Sequence, residues 1–199
     1  HTAYRRQRQR CIREGWFRAN VTCDGNVGTS NPVSISVAPF YSCYPIISAS
    51  STSDEEISNV TVGSLNNSST CATTAPGPGS ILNRYSNYSG VTPPDLGKQS
   101  PIGFSLTQTS CGGQYSNGFQ IDIDYNQNGA YSDDERVYSS LASVSGDHTE
   151  TGTFTIPATA TLGLTGMRVL VNETTFPAAT NFAANGYTWG ETEDYVVNI

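Results

Sequence analysis

Residues 119–141 read FQIDIDYNQNGAYSDDERVYSSL, and this stretch decides the fold. Apolar and polar residues alternate from Phe119 to Tyr125, and residues 136–141 are again strand-like, with no helical stripe. Between them, residues 124–135 match the twelve-position calcium-loop pattern D-x-[DN]-x-[DN]-G-x5-E at every defined position. The pattern therefore predicts a loop that joins two β-strands, unlike the helix-flanked loop of an EF-hand.

This loop supplies the oxygen ligands that a hard cation such as Ca2+ needs, and Gly129 allows the tight turn at its sixth position. Only the first and last ligands are charged, which predicts weak affinity suited to a calcium-rich medium outside the cell. A hairpin turn rich in Asn, Asp and Gly, without metal, is the alternative. The predicted calcium ligands are Asp124, Asn126, Asn128, Ala130, Ser132 and Glu135.

The composition is typical of an extracellular all-β protein. Charged residues make up 14% of the 199, Lys98 is the only lysine, and the eleven tyrosines outnumber the other aromatic residues. This length fits one domain with an appendage. No apolar run approaches the length needed to cross a bilayer, so we expect no membrane span.

The charges divide the chain into a basic arm and an acidic body. Residues 1–20 hold six arginines and one glutamate, whereas residues 21–199 hold four basic and sixteen acidic side chains. We predict an arm at residues 1–39 and a domain at residues 40–199. Such an arm favours contact with the body of the same chain or of a neighbour, and an acidic body disfavours nucleic acid. The arginines of the arm are Arg5, Arg6, Arg8, Arg10, Arg13 and Arg18.

Five cysteines without a C-x-x-C pair indicate disulfides of an exported protein rather than a zinc site. The simplest interpretation is two disulfides and one unpaired thiol. Cys11–Cys23 would then close the arm, Cys43–Cys71 would close the start of the domain, and Cys111 would be left over. Spacing does not determine the connectivity.

Eight or nine short strands with turn signals between them predict an antiparallel β-sandwich. Clear examples are the alternating segments at residues 33–37, 57–62 and 102–107 and the apolar segments at residues 167–171 and 195–199. No segment has a convincing helical pattern.

Five motifs, in the same order, resemble the bacterial GEVED domain. They are residues 57–68, the acidic segment at 123–137, the segments at 152–157 and 167–169, and Gly190-Glu191-Thr192-Glu193-Asp194-Tyr195, in which Thr192 replaces the valine of the motif. The resemblance covers roughly residues 40–199. It implies an immunoglobulin-like β-sandwich that is secreted or displayed on the bacterial cell surface, without an established catalytic activity.

The last motif crowds three carboxylates into four residues just before the expected final strand. Such crowding is costly unless a cation or an arginine neutralises it. We predict that Arg168 forms a partly buried cluster with Glu191, Glu193 and Asp194. A solvated acidic turn, or contact of these carboxylates with the calcium loop, is the alternative.

Two functions fit these observations. The first is a self-assembling, pilus-like filament subunit, in which the arm adds a strand to a neighbour's sheet; an arm folded on its own domain is the alternative. The second is a monomeric, calcium-dependent adhesive or carbohydrate-binding module, in which Tyr85, Tyr88 and Trp189 stack on surface glycans. An enzyme is not expected, because His148 is the only histidine of the domain and lies alone in a loop.

N-glycosylation patterns occur six times, and several would arise by chance in a chain so rich in Ser and Thr. The candidate positions are Asn20, Asn59, Asn66, Asn67, Asn87 and Asn172.

Overall fold

The computed structural model describes residues 14–36, 38–51 and 55–199. The chain divides into two compact units, residues 1–43 and residues 44–199.

The first unit contains one long β-hairpin. The outer strands, β1 (Glu14–Phe17) and β4 (Val33–Ser36), pair with each other, and the inner strands, β2 (Asn20–Cys23) and β3 (Asn26–Thr29), continue the ribbon to its tip. Asp24 and Gly25 form the tip with φ of 47° and 81°, the positive values of a type I′ turn. The described part of the arm is thus a paired ribbon rather than a single free strand.

The second unit is an antiparallel β-sandwich, as the sequence predicted. One sheet has the order β12-β8-β5-β6, and the other has the order β10-β9-β13-β14-β7 with β11 also paired to β9. Every pairing is antiparallel except that of β7 with β14. The strands are β5 (Glu55–Val62), β6 (Leu65–Ser68), β7 (Tyr85–Asn87), β8 (Pro101–Ser110), β9 (Ser116–Ile123), β10 (Arg136–Ser139), β11 (Val144–Ser145), β12 (His148–Thr155), β13 (Leu164–Glu173) and β14 (Gly190–Asn198).

The main core lies between the two sheets. Alternate residues of β5 and β8, such as Val60, Val62 and Leu106, meet Ile121 of β9 and Val169 of β13, and all five are fully buried. The period-two pattern of the sequence is the cause, because successive side chains of a strand point to opposite faces.

A second, smaller core covers the outer face of the six-stranded sheet. Leu170 of β13 packs there with Tyr131 and with Ala183 of the single-turn helix α1 (Phe182–Asn185). Tyr44 and Tyr187 pack against the same cluster. As a result, β13 and β14 are buried on both faces, and their polar residues must find partners inside the protein.

The disulfide differs from the predicted pairing. Cys71 bonds to Cys111, and Cys43 is an exposed free thiol, so the predicted Cys43–Cys71 bond is wrong. The bond connects the turn after β6 to the turn after β8. Folding brings these turns together because β5 pairs with both strands. Cys11, of the other predicted pair, lies outside the described residues.

The acidic motif is also placed differently. Residues 190–194 belong to β14 itself, and Glu191 and Glu193 are each 1% exposed, so the alternative of a solvated acidic turn is wrong. Among the residues that the structure describes, none belongs to a helix long and apolar enough to cross a bilayer.

Candidate functional site: the acidic loop and the buried charges

The acidic loop begins where β9 ends. Asp124 is fully buried, and its carboxylate accepts the N–H groups of Asn128 at 3.1 Å and Gly129 at 2.9 Å. The hydroxyl of Tyr44 also donates to it, at 2.7 Å. Gly129 has a φ of 84°, which favours glycine, so the sixth position of the pattern turns as the sequence predicted.

The loop closes at Glu135, in a short 3₁₀ turn over Asp133–Glu135. The buried Glu135 carboxylate accepts the N–H of Asn126 at 3.2 Å, the N–H of Ser132 at 2.9 Å and the Ser132 hydroxyl at 2.7 Å. Both charged ends of the loop therefore hold its backbone through hydrogen bonds.

The loop carries side chains of the kind that bind a hard cation, but its two carboxylates are already hydrogen-bonded within the protein. Each of the two carboxylates accepts three hydrogen bonds, and a carboxylate has about four lone-pair positions, so each keeps little spare capacity. Of the neutral predicted ligands, Asn128 accepts the N–H of Ala130 at 2.9 Å, and Asn126 lies at the exposed side of the loop. Nitrogen and sulfur donors are absent from the loop, so the donor set suits Ca2+ better than a transition metal.

Arg168 is the best-connected buried charge of the described residues. It is 1% exposed, and its Nε and Nη2 donate to the two oxygens of Asp194 at 2.7 and 2.6 Å. The remaining donors reach the backbone oxygens of Ala183 at 2.7 Å and Pro45 at 2.9 Å. The guanidinium thus ties β13 to β14, to α1 and to the segment that follows Cys43.

Tyrosine side chains connect this arginine to the acidic loop. The ring of Tyr131, a loop residue, lies 4.9 Å below the Arg168 guanidinium and stacks on the ring of Tyr44 at 4.9 Å. Tyr44 in turn holds Asp124. Gly166 of β13 makes room for this stack, because a Cβ there would collide with the ring of Tyr44.

The predicted cluster around Arg168 is correct for Asp194 only. Glu191 and Glu193 point to the opposite face of β14, into the main core, because successive residues of a strand alternate. Glu191 accepts the N–H of Ile57 at 2.9 Å and the hydroxyl of Ser86 at 2.7 Å. Glu193 accepts the hydroxyl of Tyr195 at 2.7 Å through one oxygen, and its buried second oxygen has no hydrogen-bond partner.

Burial raises the pKa of the core carboxyls. It raises the pKa of Glu191 to about 7, although two donors favour the charged form. It raises the pKa of Glu193 well above its usual range, and the charge of Glu191 adds to the effect. Burial and the charge of Glu191 also raise the pKa of Glu56, on β5, to about 8. The interior therefore holds three carboxyl groups that favour the protonated form.

A further buried acid with a raised pKa, Asp122, was not predicted. It is fully buried on β9, and burial raises its pKa to about 7 although Arg136 and Arg168 favour the charged form. The Arg136 Nε lies 3.7 Å from its carboxylate. The regular alternation of Ile121, Asp122 and Ile123 indicated a solvent-facing Asp122, and only the second core on that face explains its burial.

His148 is not an isolated surface residue. Its Nε2 lies 3.3 Å from the Glu150 carboxylate, which also accepts the hydroxyls of Ser140 and Tyr138. The hydrogen bond to Glu150 raises the pKa of His148. The spacing of the two residues on β12 was the sequence signal for this pair, since residues i and i+2 share one face of a strand.

Several predicted surface sites change in the structure. Asn172 is 3% exposed within β13, which leaves no room for a glycan, so this predicted position is wrong. Tyr85 and Tyr88 are buried and cannot stack on a sugar, whereas Trp189 is 46% exposed. Of the arm arginines, Arg18 is exposed. Arg5, Arg6, Arg8, Arg10 and Arg13 lie outside the described residues.

Together, the sandwich and the charges buried in its six-stranded sheet define a disulfide-containing β-sandwich module. Residues 119–198 match the family model of the GEVED domain, which confirms the resemblance over this part of the chain. The matched segment runs from β9 to β14, and the motif that names the GEVED domain lies in β14. This domain is an extracellular, non-catalytic type of module, and the Cys71–Cys111 bond fits an oxidising compartment.

Among solved structures, the chain is similar to the CARDB domain of a Pyrococcus furiosus protein, crystallised in complex with di-metal ions. The two are 13% identical, with a TM-score of 0.32, over 53% of this chain and 84% of that one. No curated protein matches the chain.

Proposed function

We propose that this chain is a non-catalytic structural subunit of an extracellular assembly, in which the N-terminal hairpin of one copy docks on the sandwich of the next and calcium stabilises the acidic loop. The exposed hairpin is the observation that carries the proposal. Every side chain described between residues 18 and 34 is exposed. Val21, Val27 and Val33 are 66%, 63% and 61% exposed.

An isolated two-stranded hairpin is at best marginally stable in water, because it buries too little apolar surface to offset its ordering entropy. The register places Val21 opposite Gly28 and Val27 opposite Thr22, so the ribbon presents a valine on each face. Such a ribbon gains most by packing between surfaces, and a neighbouring copy offers them.

The edge strand β12 is the acceptor that we favour. It pairs with β8 on one side and ends its sheet among the described residues. Its exposed positions are threonines, at 149, 151, 153 and 155. Edge strands usually avoid pairing through Lys, Pro or a bulge, and β12 has none of these over its eight residues. A strand added here would pair with β12 through backbone hydrogen bonds.

Charge supports association between copies. The first twenty residues are strongly basic and the remainder is strongly acidic. Opposite charges on two parts of one chain steer copies together and weaken with salt. Addition of one copy to the next without closure produces a fibre.

The experiment compares the full chain with a chain lacking residues 1–36, by sedimentation velocity and negative-stain microscopy. We expect the full chain to form oligomers or fibres that high salt weakens, and the truncated chain to be a folded monomer. A full chain that stays monomeric at high concentration, or a truncated chain that assembles equally well, contradicts the proposal.

Two sets of substitutions, each with its own control, locate the contacts. Changing Val21, Val27 and Val33 to serine should abolish assembly. Leu141 and Leu162 are 85% and 68% exposed, at least as much as the valines, and changing them to serine should leave assembly intact. Thr151→Lys on β12 should block the acceptor edge, whereas Thr161→Lys in an exposed loop serves as its control. Assembly by the Thr151→Lys variant would exclude β12 as the acceptor.

A further inference from the structure

The surroundings of the disulfide contain a group that a purely structural bond does not need. A carboxylate oxygen of Glu56 lies 3.0 Å from the sulfur of Cys111, and Glu56 is 1% exposed. A disulfide sulfur carries no proton to donate. This contact is therefore favourable only when the carboxyl is protonated and donates its O–H to the sulfur.

The neighbours of Glu56 favour this protonated form. Burial and the charge of Glu191, from β14, raise the pKa of Glu56 to about 8, and Glu56 in turn acts on Glu193. Acids are thus the charged groups that act on Glu56 from the facing strand. Cys71 and Cys111 are both partly exposed, so a thiol from solution can reach the bond while the acid stays buried.

We propose that Glu56, Cys71 and Cys111 form a thiol–disulfide exchange site, in which Glu56 transfers a proton to and from the Cys111 sulfur. The thiolate of an external thiol attacks the sulfur of Cys71. The bond to Cys111 breaks, its electron pair passes to the Cys111 sulfur, and that sulfur takes the proton of Glu56. The products are a mixed disulfide on Cys71, a thiol on Cys111 and a carboxylate on Glu56.

The reverse reaction uses the same groups. The Glu56 carboxylate removes the proton of Cys111, whose thiolate attacks the sulfur of Cys71 in the mixed disulfide and releases the external group as its thiolate. The site therefore assists both closure and opening of the bond in the folded chain, with an external thiol as the co-reactant. Thiol–disulfide exchange is faster when the leaving thiol has a low pKa, and protonation of the leaving Cys111 sulfur by Glu56 increases the rate in the same way.

The test treats the full chain, in a Cys43→Ser background that removes the exposed free thiol, with 2-mercaptoethanol. N-ethylmaleimide stops the reaction, and peptide mass spectrometry locates the adducts. We expect the mercaptoethanol adduct on Cys71 and the maleimide on Cys111. In the Glu56→Gln variant we expect exchange to be slower by about tenfold, a small general-acid effect, with loss of this preference.

The pH profile separates proton transfer from a structural role. The exchange rate of the chain with 2-mercaptoethanol is divided by the rate of oxidised glutathione with the same thiol at the same pH. This division cancels the effect of pH on the ionisation of the attacking thiol. The normalised rate should fall as the pH rises through the pKa of Glu56 near 8, and Glu56→Gln should abolish this fall. Glu191→Gln removes a negative charge that raises the pKa of Glu56. The fall in the normalised rate should therefore move to lower pH, and the rate at still lower pH should stay the same.

Three results would overturn the proposal. They are a Glu56→Gln rate and adduct pattern equal to those of the parent, a normalised parental rate that does not change with pH, and exchange rates that follow global unfolding in urea. If Glu56→Gln does not fold, the adduct pattern and the profile of the parent decide.

Discussion

Replacing Arg168 with alanine should destabilise the sandwich more than any other single arginine substitution within residues 44–199. The change removes four hydrogen bonds and leaves the Asp194 carboxylate, which is 9% exposed, with the Tyr85 hydroxyl at 2.8 Å as its remaining side-chain donor. Breaking a buried ion pair by removing one partner costs about 3–5 kcal/mol, because it leaves an uncompensated charge. The ring of Tyr131 also loses its cation.

For a domain of this size, each kcal/mol lowers the melting temperature by roughly 2–4 °C, so we expect a decrease of about 10 °C. Circular dichroism during thermal and urea unfolding measures it. Arg84→Ala is the matched control, since Arg84 is partly exposed and its Nε donates to the backbone oxygen of Ala49. It should cost about 1 kcal/mol.

A double-mutant cycle with Asp194→Asn tests the pair itself. We expect the double variant to lose at least about 1 kcal/mol less than the sum of the single variants, because each single change already breaks the same contact. The reasoning is refuted if Arg168→Ala loses less than about 1 kcal/mol, or if the two losses add.

Two further predictions concern ions and protons. Calcium at ten times its dissociation constant should stabilise the chain by about 1.4 kcal/mol relative to the chain in chelator. Asp124→Asn or Glu135→Gln should remove this gain, whereas Asp133→Asn, at an exposed position of the loop, should keep it. Identical melting curves with calcium and with chelator would contradict the site. Burial raises the pKa of Glu191 from about 4.5 to about 7, so its contribution to stability is complete below about pH 4.5 and is lost as the pH rises through 7. That loss is about 3 kcal/mol. Glu191→Gln should flatten this part of the curve of stability against pH, and an unchanged curve would show that Glu191 does not titrate there.

The fold followed from local patterns. Alternation in residues 57–62, 102–107 and 119–125 predicted strands that the structure contains, and turn residues predicted their separation. These patterns are local because a strand buried on one face must alternate. The turn at Gly129 was also predictable from local sequence, because its positive φ favours glycine.

The buried charges were predictable only in part. Charge balance alone identified Arg168 as a partner for the motif, and Asp194 confirms it. The placement of Glu191 and Glu193 in the main core required the knowledge that the motif lies inside β14 and that a second core covers its other face. Carboxylates in a sequence normally indicate solvent, so the pattern favoured a turn.

The pairing of cysteines depends on contacts distant in sequence. Cys71 and Cys111 meet because β6 and β8 both flank β5, and no spacing rule contains that arrangement. The partners of Asp122 likewise lie on β10 and β13, which the sheet order places on either side of β9, whereas Glu150 of β12 meets Tyr138 of the other sheet.

The anchoring of Tyr44 has a mechanical consequence. This residue opens the sandwich unit, and its hydroxyl bridges the Asp124 carboxylate and the N–H of Gly166 on the central strand β13. A pulling force that enters the unit along the backbone at residue 44 is therefore transferred within one side chain to the acidic loop and the middle of a sheet, rather than peeling an edge strand. The tension at which the unit begins to yield would then be set by how firmly that loop is held.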